Sequence, residues 1–338
     1  MTMPATALHL RKIAGDDIPD QDDLLGLISY GALHHTPHPT ALGSVPMAVI
    51  QDNGIVHTAW FCDGPFHTGQ HDALHYRHNQ HLLFGHMSVN ETEFSATDDT
   101  SALQQAIMAA YVAIFITIDK LGFAHLIRCW NYLPAINDES NGLERYRQFN
   151  IGRQQAFMAT SHSCLDGSPA SSALGTSADI VVIYFIASRT PSQTIENPRQ
   201  ISAGLYPTQY GPRSPTFSRA ALLPLTTMNI LFISGTASIV GHQTMHPHDI
   251  KAQTTETLRN IDIIIAQANL AAHTSHFNIR DLSLKVFIRH PHDVASVKEI
   301  LHTYFGGDMN TIYLQADICR TDLLVEIEAF GSCSKTPT

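Results

Sequence analysis

The stretch "LLFGHMSV", residues 82–89, decides how the chain folds. It is short, apolar and broken once by Gly85, as expected of a buried strand. The segment after it, "TSALQQAIMAAYVAIFITIDKLG" (100–122), has the length and apolar spacing of a buried helix, with Gly122 as its stop. "HLIRCWNYLP" (125–134) then returns as a strand. The same order recurs further on: "ILFISGTASI" (230–239), with Gly235 matching Gly85; an amphipathic helix, "IKAQTTETLRNIDIIIAQANL" (250–270); and the strand "LKVFIRHP" (284–291). Duplication of one α+β unit explains this order economically.

Outward from these anchors, "VPMAVI" (45–50), "VHTAWFC" (56–62) and "IVVIYFIA" (180–187) read as strands, and "ISAGLYP" (201–207) and "FSRAALL" (217–223) as shorter ones. "VASVKEILHTYFG" (294–306) reads as a helix. "TIYLQADIC" (311–319) and "LLVEIEAF" (323–330) read as a closing hairpin. The segment "ESNGLERYRQFNIGRQQAF" (139–157) reads as a linking helix with few acids to balance Arg145, Arg147 and Arg153, which points to an anion. The predicted fold class is α+β, in two tandem units, each a mixed sheet backed by helices on one face. Residues 1–140 form a degenerate, structural first unit; residues 141–338 hold the linking helix and a catalytic second unit.

Composition narrows the function. The 338 residues are 44% hydrophobic and 15% charged, which is that of a globular chain. A formal charge of -10 with no Lys/Arg run excludes nucleic acid as a partner. No apolar stretch approaches the ~20 residues that span a bilayer, and the first residues lack the basic-then-apolar order of a secretory leader. Five scattered cysteines fit reduced thiols in the cytoplasm. Histidine occurs 21 times, in "HHTPHP" (His34, His35, His38) and twice in "HPHD". Each "HPHD" precedes a helical pattern, so Asp249 and Asp293 read as N-caps, and no metal is expected.

Three places can carry chemistry. In "VEIEAF" the period of two puts Glu326 and Glu328 on one face and Val325 and Ile327 on the other. An exposed face would make them an ordinary strand edge; a semi-enclosed one would raise the carboxyl pKa and give a general acid. Whether Cys319 joins that face depends on the turn at Arg320-Thr321: two residues would put it there, three would reverse it. The run "SGTAS" (234–238), with Ser234 and Gly235, allows close backbone approach to a ligand. "YGPRSPTFSRA" (210–220) adds Tyr210, Arg213 and Arg219, suited to a substrate with carboxylates.

Taken together, "RCWNYLPAIN" (128–137), "RYRQFNIGRQQAF" (145–157), "FSRA" (217–220), "SGTASIVGH" (234–242) and "LLVEIEAF" (323–330) resemble the chorismatase family, the chorismate hydrolases and 3-hydroxybenzoate synthases. The resemblance spans residues 80 to 330 or so. The C-terminal half is also similar to the Rid (YjgF/UK114) fold, whose subunits end in a similar "VEIEA" strand. That implies a six-stranded sheet backed by two helices and an active site mainly in the C-terminal half.

The resemblance further implies that Glu326 is the general acid, protonating the methylene carbon of the enolpyruvyl ether of chorismate and releasing pyruvate without a cofactor or metal. A cysteine at 319 with a glycine at 235 implies aromatisation to 3-hydroxybenzoate, with or without 4-hydroxybenzoate. Arg219, Tyr210, Arg153 and Tyr146 are the implied anchors for the two carboxylates. The other readings are a Rid-like enamine/imine deaminase and a non-catalytic aromatic-metabolite binder. The assembly is expected to be a monomer or a homotrimer.

Overall fold

Apolar strands with alternating faces need partners on both sides, and here they find them in two large sheets built to one plan. The computed structural model describes residues 7–15, 22–31, 44–50, 54–164, 167–273 and 276–335; His34, His35 and His38 lie outside them. The first sheet runs His67–His71, Leu74–His78, Leu82–Val89, Val181–Ser188, His125–Pro134 and Ala170–Thr176, with the two-residue Asp317–Ile318 from the second half added at its edge. The second runs Gln193–Ile195, Ala220–Pro224, Met228–Thr236, Val325–Ser334, Ser283–Ile288 and Thr311–Gln315. In chain order both read 1-2-3-6-4-5: the last strand of each unit inserts between its third and fourth. The fourth and fifth strands pair parallel in both sheets, while the last strand pairs antiparallel with both its neighbours.

The helices obey the same plan. In the first unit α1 (Ala102–Lys120) joins strands three and four, and α2 (Arg145–Ala159) joins four and five. In the second, α3 (Ile250–Ala272) and α4 (Val294–Phe305) take those places. Ser101 caps α1 by accepting from the Gln104 N–H at 3.1 Å, and Asp249 caps α3 by accepting from the Ala252 N–H at 3.0 Å. Asp293 stands at the cap of α4 but makes no side-chain cap bond; α4 stops at Gly306, whose φ of 68° suits the left-handed C-terminal position.

One face of each sheet packs on its helices. Val325, Ile327 and Ala329 join the core beneath α3 and α4, as Ile183, Phe185 and Ala187 do beneath α1 and α2. The helix-free faces pack on each other: Phe84, Trp130, Tyr132 and Tyr184 meet Phe232, Phe287, Leu314 and Phe330 in one cluster. A small sheet of His9–Ala14, Val56–Phe61, Leu24–Tyr30 and Ser44–Val45 adds Tyr30 and Trp60 to that cluster.

Several expectations change. The boundary expected at residue 140 falls inside the first unit, because α2 packs in the α1 core and the first sheet continues to Ser188. The "linking helix" is therefore the first unit's second helix. No closing hairpin forms: Thr311–Gln315 runs parallel beside Ser283–Ile288, and Val325–Ser334 lies on the other side of that strand. Residues 201–207 contain a short 3-10 turn (Ala203–Leu205), not a strand, and within 45–50 strand geometry ends at Val45. At 19 residues α1 does approach the length of a membrane span, but its apolar side chains fill the core between sheet and α2.

Candidate active site

The period of two predicts that Glu326 and Glu328 share a face, and they do: the helix-free face, where the two sheets meet. Both are buried, at 3% and 5% exposure. Their surroundings differ completely. Glu328 accepts from Arg128 Nη2 (2.5 Å) and Ser172 Oγ (2.9 Å) on one oxygen, and from Trp130 Nε1 (2.9 Å) and Lys285 Nζ (2.5 Å) on the other. Burial alone would raise its carboxyl, but Lys285 and Arg128 overcome that and hold it below the usual range. Glu328 is thus a buried salt-bridged residue, stitching the halves together. Glu326 accepts no hydrogen bond among the described residues. Burial, helped by the nearby Glu328 charge and opposed by Arg128, pushes its carboxyl up to about 8.

Glu326 lines a cavity of about 280 Å³, near the lower end of small-molecule sites (~300–1,000 Å³). Tyr146, Tyr206, Tyr210, Phe217, Arg219 and Cys319 line it too. A smaller chamber of about 30 Å³ adjoins it, sharing Tyr146, Phe217, Gly235, Cys319 and Glu326 and ending on Asn150, Arg153 and Ser172. Most of the cavity lining comes from the C-terminal half, with Glu144, Tyr146 and Arg147 added by the first unit. The inner chamber draws on both halves, with α2 and the Ala170–Thr176 strand of the first unit forming one wall.

Gly235 is placed by a break in register. Leu231 and Ile233 face the helices, and strict alternation would send residue 235 the same way. The pairing with Val325–Ser334 shifts between Ile233 and Thr236, and this bulge turns Gly235 onto Glu326. A Cβ there would lie 1.9 Å from Glu326 Oε1, so only glycine fits. Ser234 is not in the lining. Its hydroxyl donates to the Ser218 carbonyl (2.5 Å) and accepts from the Ser171 N–H (2.8 Å), so its role is to tie the sheets together, correcting its assignment as a ligand contact.

Cys319 does face the cavity, by neither of the hairpin turns considered. The preceding residues Asp317–Ile318 pair with Leu174–Gly175 of the first sheet. Arg289 fixes the loop by donating to Asp317 Oδ1 (2.6 Å) and to the carbonyls of Ile318 (3.1 Å), Arg320 (2.8 Å) and Leu323 (2.8 Å). Burial, then the adjacent Glu326, pushes the Cys319 thiol up to about 12, so it is a neutral side chain at pH 7 and not a thiolate.

Two arginines carry buried N–H groups that make no hydrogen bond among the described residues. Arg153, 2% exposed, stacks over Tyr111 (4.9 Å) and Phe157 (5.5 Å), and its Nε and Nη2 have no hydrogen-bond partner among the described residues. Arg219 donates from Nη2 to the Ile201 carbonyl and to Tyr206 Oη, both at 2.8 Å, leaving Nε without a hydrogen bond but 3.9 Å from Glu196 Oε2. Buried N–H groups left open cost ~1–3 kcal/mol each, and an anionic ligand would satisfy them. Tyr210 bonds His242 Nδ1 (3.2 Å) and lies under Arg320 (4.0 Å), and Tyr146 is kept neutral by burial. Arg213 is exposed and outside the lining. Sequence reasoning missed Asn150, Tyr206, Arg289 and Arg320; the i, i+3, i+4, i+7 spacing of Tyr146, Phe149, Asn150 and Arg153 on one helix face was the available signal for Asn150. A neutral carboxyl flanked by two anion-seeking arginines can hand a proton to a bound polyanion.

Comparison with known proteins identifies the family. Residues 58–187 match the family model described as chorismatase FkbO/Hyg5-like, N-terminal, and residues 215–333 match the one described as endoribonuclease L-PSP. The chain is 35% identical to a 3-hydroxybenzoate synthase of Streptomyces hygroscopicus, covering 90% of this chain and 91% of that one. It is 36% identical to a chorismatase of Streptomyces rapamycinicus, covering 97% and 99%. A crystal structure of a chorismatase superposes with a TM-score of 0.87 at 30% identity, over 98% of this chain and all of that one.

Proposed function

Given that the chain belongs to the chorismatase family, we propose that it is an enzyme that converts chorismate to 3-hydroxybenzoate and pyruvate, with Glu326 as the proton donor. The observation that carries this reading is the Glu326 carboxyl itself: buried, free of donors, raised to about 8, and facing a cavity between Arg153 and Arg219. An enol ether is cleaved by protonation at carbon, a slow step that needs a positioned acid still protonated at neutral pH. Glu326 gives its proton to the methylene carbon, and the positive charge is carried by the ether oxygen and its carbon. The bond from that oxygen to the ring then breaks and pyruvate departs. The neighbouring ring hydroxyl bridges to the vacated carbon and returns its proton to Glu326. The bridge opens at its original carbon, and the hydrogen of the carbon that keeps the oxygen passes to that oxygen as the ring aromatises to the 3-hydroxy product. The two products together carry every atom of the substrate.

The arginines take the two carboxylates, with Tyr146 and Tyr210 orienting the ligand by their hydroxyls. Neutral Cys319, small and beside Glu326, is the product selector, and Gly235 keeps the space in which the carboxyl turns. Reduced thiols support a cytoplasmic setting. Each unit covers the helix-free face of the other, which supports a monomer over the homotrimer.

The test is incubation of purified protein with chorismate in EDTA, assaying pyruvate and separating 3- from 4-hydroxybenzoate by chromatography. Glu326→Gln is expected to lose about a thousandfold in kcat. Absence of pyruvate from the wild-type protein would refute the reaction, and full activity of the variant would refute the acid. Cys319→Ala is expected to divert product away from hydroxybenzoate.

A further inference from the structure

Two buried carboxyls two residues apart on one strand face cannot both carry charge cheaply, so the proton between them has a preferred seat. Here the four donors around Glu328 decide it. Trp130 and Lys285 hold one oxygen, Arg128 and Ser172 the other, and three of the four donors come from the opposite half of the molecule. Glu326 has none among the described residues. We propose that Glu328 is a positioning residue of the reaction, a permanently ionised neighbour that keeps the transferable proton on Glu326. This rests on the reading of Glu326 as the acid.

The other groups around Glu326 do not compete for this role. Tyr146 and Cys319 are held neutral by burial. Among the cations, Arg128 and Lys285 are turned onto Glu328, Arg320 donates to the His242 carbonyl, and Arg219 to Ile201 and Tyr206. Glu144 is paired with Arg147 at 3.0 Å, and Asp322 accepts from Thr244 Oγ1. Arg153 lines the inner chamber with N–H groups that have no hydrogen-bond partner among the described residues, and its charge is the same in the wild type and in every variant below.

The experiment reads Glu326 twice. One reading is the carboxyl titration of the ligand-free protein by carbon-13 NMR, with the Glu326 signal identified by its loss in Glu326→Gln. The other is the basic limb of the kcat–pH profile with chorismate. Glu328→Gln is expected to move both to lower pH by about one to two units. Glu328→Asp, which keeps the charge, is expected to leave both near their wild-type positions. Arg128→Met removes the cation that opposes the effect and is expected to move both upward; it carries the test if Glu328→Gln does not fold. An unmoved titration in whichever charge variant folds would overturn the proposal. A titration that moves as expected, in a protein whose Glu326→Gln variant stays active, would overturn the assignment of the acid instead.

Discussion

The two halves share strand order, helix placement and the single parallel pair, yet their sixth strands turn different side chains into the interior between them. The first half presents Val182, Tyr184 and Ile186 to the shared core. The second presents Glu326, Glu328 and Phe330 on the corresponding face. In the first half, strands three and six pair without a break from Leu82 to Val89, and Gly85 makes room for the Phe185 ring on the helix side. In the second, the register breaks at Gly235 and the freed space goes to a carboxyl on the opposite side. One bulge and two acids separate a packed seam from a reactive pocket. The fold supplies the wall in both halves; local departures from it supply the chemistry.

The largest expected effect is on stability, because the second half holds a neutral acid where the first holds apolar side chains. A carboxyl raised from 4.5 to about 8 on folding keeps its proton while the unfolded chain releases it. Its contribution is therefore fully present below about pH 4.5 and is lost as pH rises through 8, by up to about 5 kcal/mol. Glu326→Gln removes this loss. The unfolding free energies of wild type and variant, taken from urea curves at pH 5, 6.5 and 8, should diverge in favour of the variant as pH rises. Parallel curves would mean that Glu326 titrates normally and that the two halves do not differ in this respect.

Next comes the bulge. Gly235→Ala puts a methyl group on Glu326 Oε1 and forces the carboxyl aside. A displacement of about 1 Å in a reacting group costs on the order of a hundredfold in rate. The variant should fold, bind substrate and lose at least that much in kcat. Retention of wild-type kcat would mean that Glu326 has another working position.

Much of this was legible in the sequence and some was not, for separable reasons. The sequence pattern located the four α-helices of the described residues and the strands around Gly85 and Gly235, and it put Glu326 and Glu328 on one face. Pairing between distant strands leaves no such local trace. "TIYLQADIC" (311–319) and "LLVEIEAF" (323–330) follow each other closely in sequence and read as a hairpin, but Thr311–Gln315 and Val325–Ser334 instead flank Ser283–Ile288. "ASSALGT" (170–176) hides a central element of the site because its small residues show no alternation, and "HTGQH" (67–71) hides an edge strand behind histidine. The anchors of Glu328 lie 156 to 200 positions away in Ser172, Trp130 and Arg128, so no spacing rule could reach them. Ser234 and Gly235 were read together as one loop, and only the bulge separates their roles.

Arg153 gives a smaller effect, on binding. It stands on α2 of the first half but lines the chamber that adjoins Glu326 of the second. Arg153→Met keeps the bulk against Tyr111 and Phe157 and deletes the open N–H groups. A charge-assisted hydrogen bond is worth ~1.5–3 kcal/mol, so kcat/KM should fall about ten- to a hundredfold, mainly through KM. An unchanged KM would mean that the inner chamber holds no carboxylate.

The smallest effect is expected on the first half's own sixth strand, and it tests the comparison from the other side. Tyr184 occupies the same face that Glu326 and Glu328 occupy in the second half. Its ring packs 4.6 Å from His86 and 6.0 Å from Phe84, and its hydroxyl is buried without a partner among the described residues. Tyr184→Phe removes a polar atom that gains nothing from the fold and leaves the ring in place. Unfolding free energy should therefore stay within about 1 kcal/mol of wild type or rise, since an unsatisfied buried hydroxyl is a cost. Because the sixth strand of the first half presents only packing side chains to that face, kcat and KM for chorismate should not change. A fall in kcat of more than about tenfold, with stability intact, would mean that the Tyr184 hydroxyl reaches the reaction through the shared interior. The first half's sixth strand would then take part in catalysis as well as packing.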